Sequence, residues 1–134
     1  MKQNLLFICV ALLVTLSGCG NSSKKSEVKE EEEKPFSLAG ATYAAYDGRT
    51  YSGEEKYIVY WFIDEANLER TLRGGNPQGR IILQYAGTYR LDYPNIHIIY
   101  SNGVSEFKHE GFFIKKKTFR RQYRDGTVEE FIKQ

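Results

Sequence analysis

The sequence predicts an all-β domain, an antiparallel meander of about seven or eight short strands that closes into a small β-barrel. Three observations predict it. From Phe36 onward, β-branched and aromatic residues gather in short runs, within a chain that carries ten Tyr, eight Phe and one Trp. Turn residues separate these runs at a spacing of about ten positions, as hairpin-linked strands require. Such a sheet must also dispose of its edges, and closure into a small barrel is the usual solution.

The elements follow in order. Tyr43–Tyr46 opens the domain as its first strand. Tyr57-Ile58-Val59-Tyr60-Trp61-Phe62 is β-branched and aromatic throughout, which makes it the plainest strand of the chain. Asp64–Leu72 has two readings. Asp64 offers a helix cap, with Leu68 and Leu72 at helical spacing; a turn at Asp64–Asn67 leading into a strand is favoured, because every neighbour is a strand on a short turn. Ile81–Leu91 forms one long strand, or two broken at Gly87. Its period of two puts Leu83, Tyr85, Tyr89 and Leu91 on one face, with Gly87 where a barrel strand bends. Tyr93-Pro94-Asn95 is a turn, and Ile96, Ile98 and Tyr100 align on the strand after it. Ser101-Asn102-Gly103 and Arg124-Asp125-Gly126-Thr127 are hairpin turns. Between them, Gly111–Ile114 and Thr118–Tyr123 read as strands around Lys115–Lys117, and Val128–Ile132 closes the chain.

The start of the chain has a different texture. Lys2 precedes an apolar run from Leu5 to Val14, followed by Leu16-Ser17-Gly18-Cys19. A positive start, a short apolar stretch and small residues before a cut describe a secretory signal, and the run is too short to span a bilayer. Leu-Ser-Gly-Cys resembles the lipobox of bacterial lipoproteins. That resemblance implies a signal peptide over residues 1–18 and a Cys19 that carries the lipid, palmitate among its acyl chains, after cleavage. It also implies a cell-envelope protein held to the membrane through Cys19, on a periplasmic or surface-exposed face. Residues 19–35 hold one sizeable apolar side chain, Val28, and too little surface to offset the entropy of ordering. They read as a disordered charged tether reaching about 20–25 Å. The run Glu30–Glu33 within it is similar to the acidic export signals of surface lipoproteins of the Bacteroidetes. The barrel domain then covers residues 36–134.

Leu38-Ala39-Gly40-Ala41-Thr42-Tyr43, Gly87-Thr88-Tyr89 and Gly111-Phe112-Phe113-Ile114 together resemble small lipocalin-like lipoproteins of the Bacteroidetes. The resemblance implies a lipocalin-like barrel opening on a Leu-x-Gly-x strand. True lipocalins carry Gly-x-Trp there, whereas here Ala41 and Thr42 follow Gly40, and Trp61 sits on the next strand.

Function classes narrow by elimination. Phe36–Gln134 carries fourteen Lys and Arg against twelve Asp and Glu, which is no nucleic-acid signature. Cys9 falls in the signal and Cys19 is taken by lipid, so the domain has neither disulfide nor thiolate chemistry. His97 and His109 lack the companions of a metal site and read as ordinary strand residues; the serines show no nucleophile elbow. Glu129 and Glu130 are adjacent on a strand and point to opposite faces. Lys115–Lys117 with Arg120, Arg121 and Arg124 is a charge cluster that the same alternation splits. No enzyme and no cofactor is expected. Two binding classes remain. In one, the interior holds a small apolar or amphipathic ligand, contacted by Trp61, Tyr85, Tyr89 and the Gly74–Gly79 loop, Gly74 and Gly75 foremost, at one open end. In the other, the barrel is filled by its own side chains, and its outside meets an envelope protein or glycan. The bulky residues of the central strands decide between the two.

Overall fold

A computed structural model describes residues 34–134. The expected signal, Cys19 and the expected tether up to Glu33 lie outside the described residues. The rest is a single closed barrel of eight antiparallel strands in meander order, without a helix. The strands are β1 (Thr42–Arg49), β2 (Glu55–Phe62), β3 (Asn67–Gly74), β4 (Arg80–Asp92), β5 (Asn95–Ser101), β6 (Glu106–Lys115), β7 (Thr118–Gln122) and β8 (Val128–Lys133). This is the architecture of a small lipocalin-like barrel.

Local chemistry accounts for the elements. The Asp64–Leu72 stretch resolves as turn and strand. The Asp64 carboxylate accepts the backbone N–H groups of Ala66 and Asn67 at 2.8 and 2.7 Å, closing a turn that leaves β3 free to pair with β2. Hydrogen bonds from the Asn67 side chain and from the Ala66 and Asn67 N–H groups hold that carboxylate below the usual aspartate range. β4 runs unbroken through Gly87. A Cβ at Gly87 would sit 2.4 Å from the Ile99 carbonyl oxygen and 2.9 Å from the Tyr100 Cβ, so the bend needs glycine for close approach of β5. Bulges between Tyr46 and Arg49, Leu72 and Arg73, and Phe113 and Lys115 add the local twist that closure requires.

Two expectations shift. β6 begins at Glu106, not Gly111, because the Asn102 side chain ties the N–H groups of Val104 and Ser105 into a compact turn and lets pairing with β5 start at once. Leu38–Ala41 is no opening strand. The Ala41 N–H bonds the Leu38 carbonyl in a turn, and the Leu38 side chain is fully buried.

The two ends of the barrel differ. The turns β2–β3, β4–β5 and β6–β7 share one end with Lys34–Ala41. Here Phe36 packs edge-on against Tyr93 and Phe113, and Leu38 joins the core. Above this plug, Tyr43, Tyr60, Phe62, Phe113, Phe119 and Phe131 meet in successive edge-on, tilted and stacked contacts. The other end, framed by the turns β1–β2, β3–β4, β5–β6 and β7–β8, we call the mouth.

Candidate functional site

The mouth half of the interior is built from inward positions of seven strands, and it is polar. Alternation sends Tyr60 of β2, Arg70 of β3, Tyr85 of β4, Tyr100 of β5, His109 of β6, Arg121 of β7 and Glu129 of β8 toward the axis. Contacts across the lumen bear this out. Arg121 is 8% exposed. Its guanidinium donates to the Tyr60 hydroxyl at 3.3 Å, lies 3.9 Å from Glu129 and sits 4.0 Å above the ring of Tyr123. Tyr123 in turn donates to Glu129 at 2.7 Å. Arg70 is arranged otherwise. No carboxylate among the described residues lies within ion-pair distance of it. Its guanidinium instead faces the rings of Tyr100 and Tyr85, at 4.9 and 5.7 Å, and its Nε is buried without a hydrogen-bond partner. The Tyr100 ring stacks between those of Tyr85 and Phe107.

His109 closes the cluster. Its Nε2 lies 3.2 Å from the Tyr100 hydroxyl, and its Nδ1 is buried without a partner. Burial first, then the charges of Arg121 and Arg70, push its pKa down from 6.5 to about 4. Below pH 6.5 the unfolded chain binds a proton that the folded chain refuses until about pH 4. The stability this group contributes is therefore complete above pH 6.5 and is lost as pH falls toward 4. The effect is about 1–2 kcal/mol once solvent screening of a partly exposed ring is allowed for. Urea midpoints measured from pH 7 to pH 4.5 should fall further for the wild type than for His109→Phe; parallel curves would refute the assignment.

The outside is apolar on one side. Outward positions of β1 and β2 carry Tyr46, Tyr57 and Trp61, with Trp61 45% and Tyr46 53% exposed. The Tyr46 and Tyr57 rings meet edge to face at 5.6 Å. The short side chains Ala44 and Val59 lie between these aromatics and are buried, and Ile132 of β8, paired with Ala44, extends the strip at 53% exposure. Two hollows indent the wall. One of about 420 Å³ crosses β5–β7 beside His97, Glu110 and Phe112. One of about 490 Å³ opens at the mouth end of the β1–β8 seam, between outward Tyr46 and Val128 and inward Ala45, Tyr123 and Glu129.

The residues expected to contact a ligand do not converge. Trp61 faces outward, opposite Glu69, toward the plugged end. Gly74 pairs with Lys56 at the mouth, five residues from Trp61 along β2, or about 16 Å of strand. Trp61 and the Gly74–Gly79 loop therefore do not share an open end, because the strongest aromatic run alternates like any strand and Trp61 has the outward parity. Gly75 takes a φ of +84° and donates to the Glu55 carbonyl, while a Cβ at Gly74 would press within 2.7 Å of the Glu54 carboxylate. Both glycines are thus accounted for by turn geometry and close packing. Tyr85 and Tyr89 do face inward. Tyr85 lies under Arg70, and Tyr89 is buried against Phe62 with its hydroxyl on the Asp64 carbonyl at 2.6 Å. Burial raises the Tyr89 pKa to about 12.

Sequence reasoning missed Arg70, His109 and Arg121 as one cluster. Parity groups His109 with Phe107 and Phe113, and Arg121 with Phe119, but only register marks those parities as inward, as the pairing of His109 with Ile98 does. Among the described residues no group of three His, Cys, Asp or Glu could hold a metal ion. No helix there is long and apolar enough to cross a membrane, which says nothing of strands. No family model matches the chain, and neither curated proteins nor solved structures gave a match.

Proposed function

We propose that the chain is a lipid-anchored lipoprotein of the cell envelope, held to the membrane through Cys19, whose barrel is a non-enzymatic binding module working through its outer face. The carrying observation is the division of aromatic residues. Tyr43, Tyr60, Phe62, Phe119 and Phe131 fill the lumen, while Trp61, Tyr46 and Tyr57 line the outside. A lumen occupied by six-membered rings leaves its closed half no room for an apolar guest, since eight strands enclose a space just wide enough for side chains. An exposed strip with Trp and two Tyr has the composition of contact surfaces, because these side chains combine a broad apolar body with a polar tip. The partner class is an envelope protein or a glycan.

Two measurements test this. Trp61→Ala should cost stability about 1 kcal/mol or less, as a half-exposed substitution does. A photo-crosslinking residue at Trp61 in living cells should yield a discrete adduct, lost when Tyr46 and Tyr57 are also changed to Ala. Absence of any adduct at Trp61, together with a loss of several kcal/mol in Trp61→Ala, would overturn the outer-face reading. The anchor is tested separately. Fatty-acid labelling should vanish in Cys19→Ala, and retained label would refute lipidation at that residue.

A further inference from the structure

We infer that the mouth of the barrel is a binding site for a small organic monocarboxylate, held between Arg70 and Arg121 over the rings of Tyr85 and Tyr100. The charge inventory carries the inference. Among the described residues the charges around the mouth are largely paired: at the rim Arg80 of β4 bonds the Glu54 carboxylate beside Gly74. Lys56 of β2 pairs with Asp47 of β1 at 3.4 Å, and Arg121 of β7 lies by Glu129 of β8. That leaves Arg70 of β3, which has only aromatic faces for company. His109 of β6 adds a neutral ring, and Tyr60, Tyr100 and Tyr123 add hydroxyls. A half-buried cation without a counter-ion favours an anion beside it.

The shape of the surplus selects the anion. A guanidinium presents parallel N–H groups that fit the two oxygens of a carboxylate. The walls around it, Tyr85, Tyr100 and Phe107, are aromatic, which favours a carboxylate with an apolar remainder over a bare inorganic ion. Two buried nitrogens without partners, Arg70 Nε and His109 Nδ1, mark where donors await an acceptor. The neutral His109 ring places a proton on either Nδ1 or Nε2, and a carboxylate at Nδ1 fixes it there. The site is reachable. Leu83, one inward position nearer the mouth than Tyr85, is 46% exposed, so solvent enters the lumen at that level. Among the described residues no apolar plug covers this end, in contrast to Phe36 and Leu38 at the other.

The test uses the full chain in detergent micelles, with sodium benzoate as probe and sodium phosphate and sodium chloride at matched ionic strength as comparators. The readout is the His109 imidazole by NMR. A bound carboxylate sets a negative charge beside a ring that now feels only guanidinium groups. Benzoate should therefore raise the His109 pKa from about 4 by about 1 or more. Phosphate and chloride should do so far less. Arg70→Met should weaken benzoate binding by about tenfold or more, and Arg70→Lys, which keeps the charge and loses the fork, by a smaller factor. Arg90→Ala, an exposed arginine on the outer face of β4, should leave it unchanged. Equal responses to benzoate and chloride, an unmoved His109, or wild-type affinity in a folded Arg70→Met would each overturn the inference. None of these outcomes bears on the outer strip at Trp61, so the two readings fail separately.

Discussion

Phe119→Ala should cost about 3–5 kcal/mol, the largest loss expected from any single truncation in the barrel. Phe119 is fully buried, and its ring stacks flat on Phe131 with centroids 4.7 Å apart. Tyr43, Tyr60 and Phe113 touch it from three further strands. Removing the ring opens a void that these neighbours cannot collapse into, because each is held by strand pairing on both sides. A domain of about a hundred residues holds a total stability of about 5–15 kcal/mol, so this one change removes a large share. Chemical denaturation of wild type and variant would measure it. Phe112→Ala, one residue from Phe113 on β6 and outward-facing, should cost far less.

The second large effect is expected from Glu129→Ala, about 3 kcal/mol. The side chains of Arg121 and Glu129 are only 10% and 12% exposed. Without the carboxylate, the Arg121 charge stays buried with hydroxyls and a ring but no counter-ion, and the Tyr123 hydroxyl loses its acceptor. The double variant Arg121→Met, Glu129→Leu removes charge and counter-charge together and should recover most of the loss, since well-packed apolar side chains replace buried pairs at little cost. Denaturant midpoints for the wild type and the two variants decide it. A double variant as unstable as Glu129→Ala would show that the pair is held for more than charge balance.

Much of the fold was legible because strands declare themselves by period and turn chemistry. Leu83, Tyr85, Gly87, Tyr89 and Leu91 do share the inward face of β4, and Arg120 and Arg121 do part company, the first exposed beside Glu130 and the second buried. What the period does not reveal is which parity is inside. Trp61, expected to contact a ligand in the interior, faces out, whereas Arg70 and Arg121, given no place in the interior, face in. In a barrel, the inside of each strand is set by its register with neighbours, and register depends on bulges such as that between Leu72 and Arg73, which no local pattern announces. The inward orientation of His109 is hidden for the same reason. Its neighbours Lys108 and Glu110 are charged, and only its pairing with Ile98 shows that the imidazole belongs to the lumen.

The seam where the barrel closes is short. β1 and β8 pair through only Tyr43 with Lys133 and Ala44 with Ile132, next to a bond from the Gln134 N–H to the Thr42 carbonyl. Every other junction is longer, as β2 and β3 show with seven paired positions. The first and last strands of the meander are thus joined by the least backbone hydrogen bonding, at the place where closure must recruit residues about ninety positions apart. In kinetic terms, this junction carries the greatest loop-closure entropy and the smallest enthalpic return, so it is expected to form last in folding and part first in unfolding. The ring is in effect a clasp: seven hairpin links that assemble locally, and one fastening whose opening exposes two free edges and the stacked phenylalanines behind them.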